Sequence, residues 1–462
     1  MRARMFGVGR SALLTVMRPA CVALVATLVA GCAHDSASVN GKPQPAARRV
    51  AAKGAMDRNR LLVGAYYLTA NLHDDQHVKE VADAGIDFLV AVDAKTNLLD
   101  LCAKHGVGVI AHARFPSWWG GDGKNAGKYG ETLPLDKLDA ALAKCGRHPA
   151  LWGDYPVDEP NARDFAHVAA VAKRYEAKFP GQLAFVNLYP IYANTAPSGI
   201  APELQKAPSQ LGTASYQEHI DRYVREVDTD YICFDSYPFT GPFAGYLENL
   251  DIVGKACRAS GRDLWVIIQS GAWKPENVLG EFQIRWQACL CLAYGANVIM
   301  HASYSPGWWN ETTSCVNKAG EKNATYGYVQ HVDAELHALS DVFMRYQSLG
   351  VYPCGNIAGA GAKMVKQLEA QRTRNGDALG RAERRLLEGI EADGAAVAGL
   401  FRRRDGGGYA VVLVNAQDPW DAHAAINVDL KLRGMVYVKG CKTALGPHLK
   451  LDSGEGVFIT VK

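Results

Sequence analysis

Asp158 and Glu159 are adjacent carboxylates at the end of a strand-like run, Trp152-Gly-Asp-Tyr-Pro-Val-Asp-Glu-Pro160. Two acids placed together can divide a proton-transfer task. One is kept protonated by burial or by its neighbour's charge and acts as general acid; the other acts as base, nucleophile or orienting group. Pro160 suits the first turn of a following helix. In a purely structural role the same acids would cap that helix and complement its dipole. The strand before them, and further acids at matching positions elsewhere, favour chemistry.

These acids need a scaffold, and the hydrophobic pattern supplies one. From Leu61 the chain alternates between apolar runs and amphipathic segments. The runs 61–67, 86–92, 107–113, 150–155, 183–188, 230–235, 264–269 and 296–302 read as strands. Helical segments lie between them; in 74–85, Val78, Val81 and Ala82 share a face and Gly85 can end the helix. Eight strands with intervening helices predict an α/β fold, a (β/α)₈ TIM barrel, whose C-terminal rim carries the functional residues. No Gly-x-Gly-x-x-Gly follows the first strand, which argues against a dinucleotide domain.

Each predicted strand delivers polar or aromatic residues to that rim. The first brings Tyr66 and Tyr67, and the third His112 and Arg114, followed by Trp118 and Trp119. The fourth brings Asp154, Asp158 and Glu159, the fifth Asn187 and Tyr189, and the sixth Asp235 and Tyr237. The seventh brings Gln269 and Trp273; the eighth brings His301 and Tyr304, then Trp308, Trp309 and Glu311. Such a rim suits a saccharide: rings stack on C–H faces, amides and acids bond hydroxyls, and a carboxyl pair does acid–base work. Glu159, Asp235 and Asp158 are therefore the candidate catalytic residues. Tyr66, Trp118, Trp119, Asn187, Tyr189, Tyr237, Gln269, Trp273, His301, Trp308 and Glu311 are the candidate substrate contacts. No His-Glu-x-x-His or comparable spacing occurs, so no metal or other cofactor is expected.

Several segments resemble barrel glycoside hydrolases of the clan A type, near the family 42 β-galactosidases. They are Trp152–Pro160, Phe185-Val-Asn-Leu-Tyr-Pro190, Phe234-Asp-Ser-Tyr-Pro238, and Ile284-Arg-Trp-Gln-Ala288 with Leu292-Ala-Tyr-Gly-Ala296. The resemblance runs from about residue 60 to 462. It implies cleavage of an oligo- or polysaccharide with Glu159 as general acid after strand 4. Two departures stand out. Asp158 occupies the usual Asn position, and Gln269 occupies the place of the strand 7 nucleophile, where an amide cannot form a glycosyl ester. Asp235 could take that part, or Glu311 with a longer reach. Alternatively the substrate could assist, since an adjacent Asp-Glu pair is similar to hexosaminidases whose substrate's 2-acetamido oxygen attacks. In that case Asp158 would orient the amide and Tyr237 would bond its oxygen. Gln269 also leaves open a non-catalytic glycan-binding lipoprotein on the same barrel.

The 462 residues, 48% hydrophobic and 21% charged, suffice for a barrel and a smaller module. Arg2, Arg4, Arg10 and Arg18 precede and flank the apolar run from Val22 to Ala30, which is too short for a lasting membrane span. Leu28-Val-Ala-Gly-Cys32 resembles a bacterial lipobox, implying cleavage after residue 31 and lipidation of Cys32. Ala33, rather than Asp, points to the outer membrane of a Gram-negative cell. Without the four arginines the formal charge falls from +3 to −1, so no electrostatic footprint for nucleic acid remains. Residues 32–57 read as a flexible tether, 58–350 as the barrel and 351–462 as a C-terminal antiparallel β-sandwich. The last reading rests on short alternating runs at 397–402, 409–415, 424–432, 436–439 and 456–462. A helix is expected over 324–348, and the charged stretch 364–389 is compatible with more helix. The remaining nine cysteines are scattered and odd in number, unlike a disulfide framework.

Overall fold

The computed structural model describes residues 54–112, 114–196, 208–239, 243, 245–375 and 379–461. The signal stretch, Cys32 and the tether up to residue 53 lie outside them. Parallel strands β1 (Leu62–Tyr66), β2 (Phe88–Asp93), β3 (Gly108–His112), the two-residue β4 (Trp118–Trp119), β5 (Leu151–Asp158), β6 (Leu183–Asn187), β7 (Tyr231–Ser236), β8 (Asp263–Gln269) and β9 (Ala296–Ala302) form one curled sheet. β4 is an extra rung on β5, so eight strands make the predicted (β/α)₈ barrel. The β6–β7 seam is thin. It holds one bridge, Leu188 to Phe234, while the Tyr231 hydroxyl accepts from Val186 N (3.0 Å) and donates to Ala184 O (3.2 Å).

Strand alternation decides what fills the barrel. Leu62, Phe88, Ile110, Trp152, Phe185, Tyr231, Trp265 and Met300 point inward and form one cluster. Their neighbours Val63, Leu89, Val109, Leu151, Val186, Ile232, Val266 and Ile299 point outward beneath the helices. The interior is ring-rich; Tyr231 and Trp265 stack with centroids 3.9 Å apart. Gly108 makes room for Trp152, because a Cβ there would lie 2.3 Å from the indole.

The helices are α1 (Asp75–Asp83), α2 (Thr96–His105), α3 (Tyr129–Thr132), α4 (Leu135–Leu142), α5 (Phe165–Lys178), α6 (Tyr216–Glu226), α7 (Tyr246–Ser260), α8 (Glu281–Tyr294) and α9 (Ala324–Phe343). Local signals end them as sequence chemistry demands. Asp74 caps α1 by accepting from His77 N, and α8 ends on Gly295 at φ +92°. α9 stops five residues before the expected 348, because β10 (Tyr346–Gly355) begins there and runs through the expected domain boundary.

The charged stretch forms α10 (Ala362–Asn375) and α11 (Arg381–Glu388). The C-terminal part holds β11 (Ile390–Ala392), β12 (Ala395–Arg403), β13 (Tyr409–Asn415), β14 (Ile426–Leu430), β15 (Gly434–Val438), β16 (Cys441–Ala444), β17 (His448–Leu451) and β18 (Gly456–Val461). Two antiparallel sheets, ordered β10-β12-β13-β18-β15-β16 and β11-β14-β17, share a core of Leu400, Val411, Leu413, Ile426, Val428 and Ile459. β10, β11, β16 and β17 were not among the expected strands. β16 is exposed along its length, and β11 has three residues, so neither carries a buried alternating pattern.

The larger sheet packs on α8 at close quarters. A cavity of about 20 Å³ remains between α8, α9 and the sheet, enough for about one water. Gly399 lies where a Cβ would be 2.1 Å from Ala293 O. Gly399→Ala should therefore cost about 1–3 kcal/mol by forcing sheet and helix apart. The check is the urea unfolding midpoint; an unchanged midpoint would show that this contact is loose.

Candidate active site

Asp158 and Glu159 end β5, and their neighbours on β6 and β7 meet them at the barrel mouth. Asp158 Oδ1 accepts from the Tyr155 hydroxyl (2.6 Å) and from Asn187 Nδ2 (3.2 Å). The same Asn187 nitrogen donates to Asp235 Oδ1 (2.8 Å). Tyr66 donates to the Tyr155 hydroxyl at 3.2 Å, which completes a polar chain from β1 to β7. Glu159 Oε2 accepts from Trp119 Nε1 at 3.3 Å, and Glu159 keeps a window to solvent.

Period-two alternation would send Asp158 inward and Glu159 outward. Glu159 escapes this because its φ is +46°, in the left-handed region that residues with a Cβ seldom adopt. Its amide is anchored on Asn187 O at 2.8 Å. Among the described residues, five non-glycines have positive φ: Tyr67, Ala91, Asp122, Glu159 and Lys439. Four of them surround the mouth. Strain of this kind costs of order 1–3 kcal/mol per residue and gathers at functional sites.

The electrostatics follow from crowding acids in a dry place. Burial pushes the Glu159 carboxyl well above its ordinary range, and the charges of Asp235 and Asp158 push it further. The Trp119 hydrogen bond offsets only part of this. Asp235 is raised to about 7, chiefly by burial, against the stabilising Asn187 hydrogen bond. Burial also raises Asp158, while Tyr155, Asn187 and His112 pull it back. The site can therefore hold a protonated Glu159 beside an acid that titrates near neutrality.

A cavity of about 140 Å³ adjoins Asp158. Tyr67, Ala91, His112, Ser117 and Tyr155 line it together with Trp118 and Trp119. Trp119 is 50% exposed, whereas Trp118 is buried and stacks on Tyr129. Across the mouth, Trp273 is 57% exposed and meets Trp309 edge-on at 4.8 Å. Trp308 and Tyr237, both half-buried, continue the rings toward Tyr66 and Tyr67. Glu311 is tied within its own loop, where Oε2 accepts from Lys318 N at 3.4 Å.

Six expected rim residues are placed otherwise. Gln269 is fully buried; its Oε1 accepts from Phe239 N and its Nε2 donates to Gly271 O, so it holds loops and offers a sugar nothing. His301 is also fully buried and faces outward, with Nε2 at 2.8 Å from Asp333 of α9, because alternation along β9 puts Met300 and Ala302 inside instead. Asp154 and Arg114 pair with each other at 3.0 Å, and Tyr175 of α5 donates to Asp154 on the outer side. Asn187 is 4% exposed and serves carboxylates. Tyr189 is buried too, with an unpartnered hydroxyl; among charged groups, Glu159 perturbs it most.

Sequence reading missed Tyr155, Asn161 and Asp164. Asn161 Nδ2 donates to Ser209 O and Gln210 O, and Asp164 accepts from Gly127 N and Tyr129 N. The residues right after the acids thus pin the stretch around Gly127 that follows β4 and the stretch around Ser209 that precedes α6, and Gln210 Nε2 reaches Asp122 at 2.9 Å to join them. The run Glu-Pro-Asn-Ala-Arg-Asp was the available signal, since Asn and Asp after a turn often bond backbone. Among the described residues, no group of three or more His, Cys, Asp or Glu is placed to hold a metal, and the cysteines are free.

No protein-family model matches the chain, and no curated protein matches it. Solved structures do resemble it. The β-galactosidase of Bacillus circulans sp. alkalophilus is 10% identical over 87% of this chain and 99% of its own, with a TM-score of 0.48. The endo-1,4-β-mannanase of Rhizomucor miehei is 8% identical, covering 60% of this chain and 95% of its own (TM-score 0.41). An endo-β-1,3-glucanase of Amycolatopsis mediterranei, solved with laminaripentaose, is 12% identical, covering 58% and 98% (TM-score 0.34). The structural neighbours are glycoside hydrolases, and the chemistry of this chain rests on its own residues.

The raised carboxyls have a stability consequence. Folded Asp235 titrates near 7, whereas an unfolded Asp titrates near about 3.9. Between those values the folded chain binds a proton that the unfolded chain has lost. This group's contribution to stability therefore falls as pH rises from about 4 to about 7 and stays low above. Asp235→Asn should remove that slope, so its gain in melting temperature over the parent should be larger at pH 8 than at pH 5. An equal effect at both pH values would contradict the buried, raised carboxyl.

Proposed function

We propose that the protein is a glycoside hydrolase in which Glu159 is the general acid. One observation carries this reading: Glu159 is a buried-edge carboxyl with a window to solvent, and Asp235 and Asp158 both oppose its ionisation. A carboxylic acid kept neutral in this way can deliver a proton to a departing glycosidic oxygen. Asp235 is the partner. Its titration near 7 suits a base that takes the proton from the attacking water. The exposed rings of Trp119 and Trp273 offer stacking faces on two sides of the mouth. The lipobox-like Leu28–Cys32 supports a lipid-anchored envelope protein, at the outer membrane in a Gram-negative source.

A second reading has its own support. Gln269 is locked to backbone, so β8 ends without a carboxylate, and among the described residues none donates to Asp158 Oδ2. An Asp with a free oxygen beside the acid could orient a 2-acetamido group that attacks in place of a protein nucleophile.

The test is reducing-end release from a broad glycan panel by the full chain. Glu159→Gln should lower turnover by about 10²–10⁴-fold with folding intact. The parent's rate should fall on the alkaline side as Glu159 loses its proton. Glycan binding by parent and variant alike, with no turnover by either, would replace this reading with a binding lipoprotein.

A further inference from the structure

We propose that the cavity beside Asp158 is a subsite for the N-acylamino substituent of a sugar. The proposal rests on the glycoside hydrolase reading and names the substrate class for that site. Its volume of about 140 Å³ is close to that of a cavity that admits a benzene-sized guest. A lone hydroxyl would leave most of it empty.

The lining selects among larger groups. Asp158 reaches the cavity, with Oδ1 occupied by Tyr155 and Asn187 and Oδ2 left for a ligand donor. Ser117 Oγ and His112 Nε2 lie 2.9 Å apart. Whichever atom donates across that contact, a neutral pair keeps one further proton to give. The Tyr67 phenol is a second donor at the wall. Ala91 and Tyr155 line the same cavity and supply a methyl and a ring.

The required ligand group thus carries one donor, one acceptor and an apolar end. A secondary amide with a short acyl chain has all three: N–H to Asp158, C=O to the Ser117–His112 pair or Tyr67, and methyl on Ala91 and the rings. An anion would meet three carboxyl groups and no Lys or Arg paired with them among the described residues, so nothing at the mouth would compensate its charge. An ammonium has donors only and leaves the wall's donors unmatched. The backbone supports a built site as well. Ala91 and Tyr67 both take φ +60°, and the strain at Ala91 coincides with a register shift between β2 and β3.

The experiment is calorimetric binding of methyl glycosides to the full chain: N-acetylglucosamine, N-acetylgalactosamine, glucose, galactose, glucosamine and glucuronate. At least one N-acetyl sugar should bind tenfold or more tightly than its hydroxyl and amino counterparts. Ser117→Leu, which puts a branched side chain into the cavity, should erase that preference while weak hydroxy-sugar binding persists; a thermal melt confirms its fold. His112→Ala should reduce the preference without filling the space. Equal affinities, tightest binding of the amine or the acid, a preference untouched by both variants, or no binding of any sugar would overturn the subsite. The two readings fail separately. Hydrolysis of plain hydroxy-glycans without acyl preference sinks only the subsite, and acyl-selective binding without turnover sinks only the hydrolase.

Discussion

Three carboxyl groups share one mouth, and no Lys or Arg among the described residues pairs with them. Asp158, Glu159 and Asp235 make no ion pair among the described residues, and burial is the first cause of displacement for each. Such an arrangement is costly, because buried charges favour a partner or a proton. The surroundings divide the burden unequally. Asn187 gives one amide nitrogen to both aspartates, and Tyr155 gives its hydroxyl to Asp158. Among the described residues, Glu159 receives only the longer Trp119 contact. Hydrogen bonds to the ionised form are what hold a carboxylate ionised, so the proton settles on Glu159. The assignment of acid and partners is a consequence of where the donors stand.

The same mouth depends on breaking the strand rule in a controlled way. A regular strand can offer only alternate side chains to the barrel interior. Positive φ at Tyr67 and Glu159, just beyond the ends of β1 and β5, lets Tyr66 and Tyr67 face inward together, and likewise Asp158 and Glu159. Ala91 does this inside β2, after Val90. The rim gains functional groups that a regular ladder would have aimed at the helices. This device also creates the cavity beside Asp158, since Tyr67 and Ala91 both line it.

Much of this was legible from the chain and some of it could not be. Apolar alternation located all eight barrel strands, because buried parallel strands read as continuous hydrophobic runs. The two acids stood out because a strand rarely ends on paired carboxylates by chance. What failed was facing. Asp154, Gln269 and His301 sit near strand ends just as Asp158 and Asp235 do, and residue type alone does not say which side they take. The β5 ladder shifts register between Asp154 and Val157, and parity counted from inward Trp152 already fails at Asp154, which faces Tyr175 of α5. The weak strands β16 and β17 were invisible for the opposite reason: they are held by pairing rather than by burial. Asn161 and Asp164 act through backbone groups of distant loops, which no local pattern announces.

The C-terminal sheets reach the chemistry through a mechanical path. They press on α8, where Gly399, Gly454 and Gly456 allow backbone to approach Ala293, Phe282 and Cys289. From α8, Gln287 clasps β8: its Oε1 accepts from Gln269 N and its Nε2 donates to Gln269 O, at 2.9 and 2.8 Å. The Gln269 side chain in turn holds Phe239 N, two residues after Tyr237, and Gly271 O, two residues before Trp273. Trp420 of the C-terminal part closes over the same turn, 5.5 Å from Phe239 and 4.5 Å from Phe243. A carboxylate at position 269 would lose the amide donor that Gly271 O uses and would add a fourth acid beside three that already crowd one mouth. The glutamine is therefore the residue this arrangement requires: its amide fixes the wall between Phe239 N and Gly271 O, and the proposed hydrolysis draws its carboxyls from β5 and β7 instead.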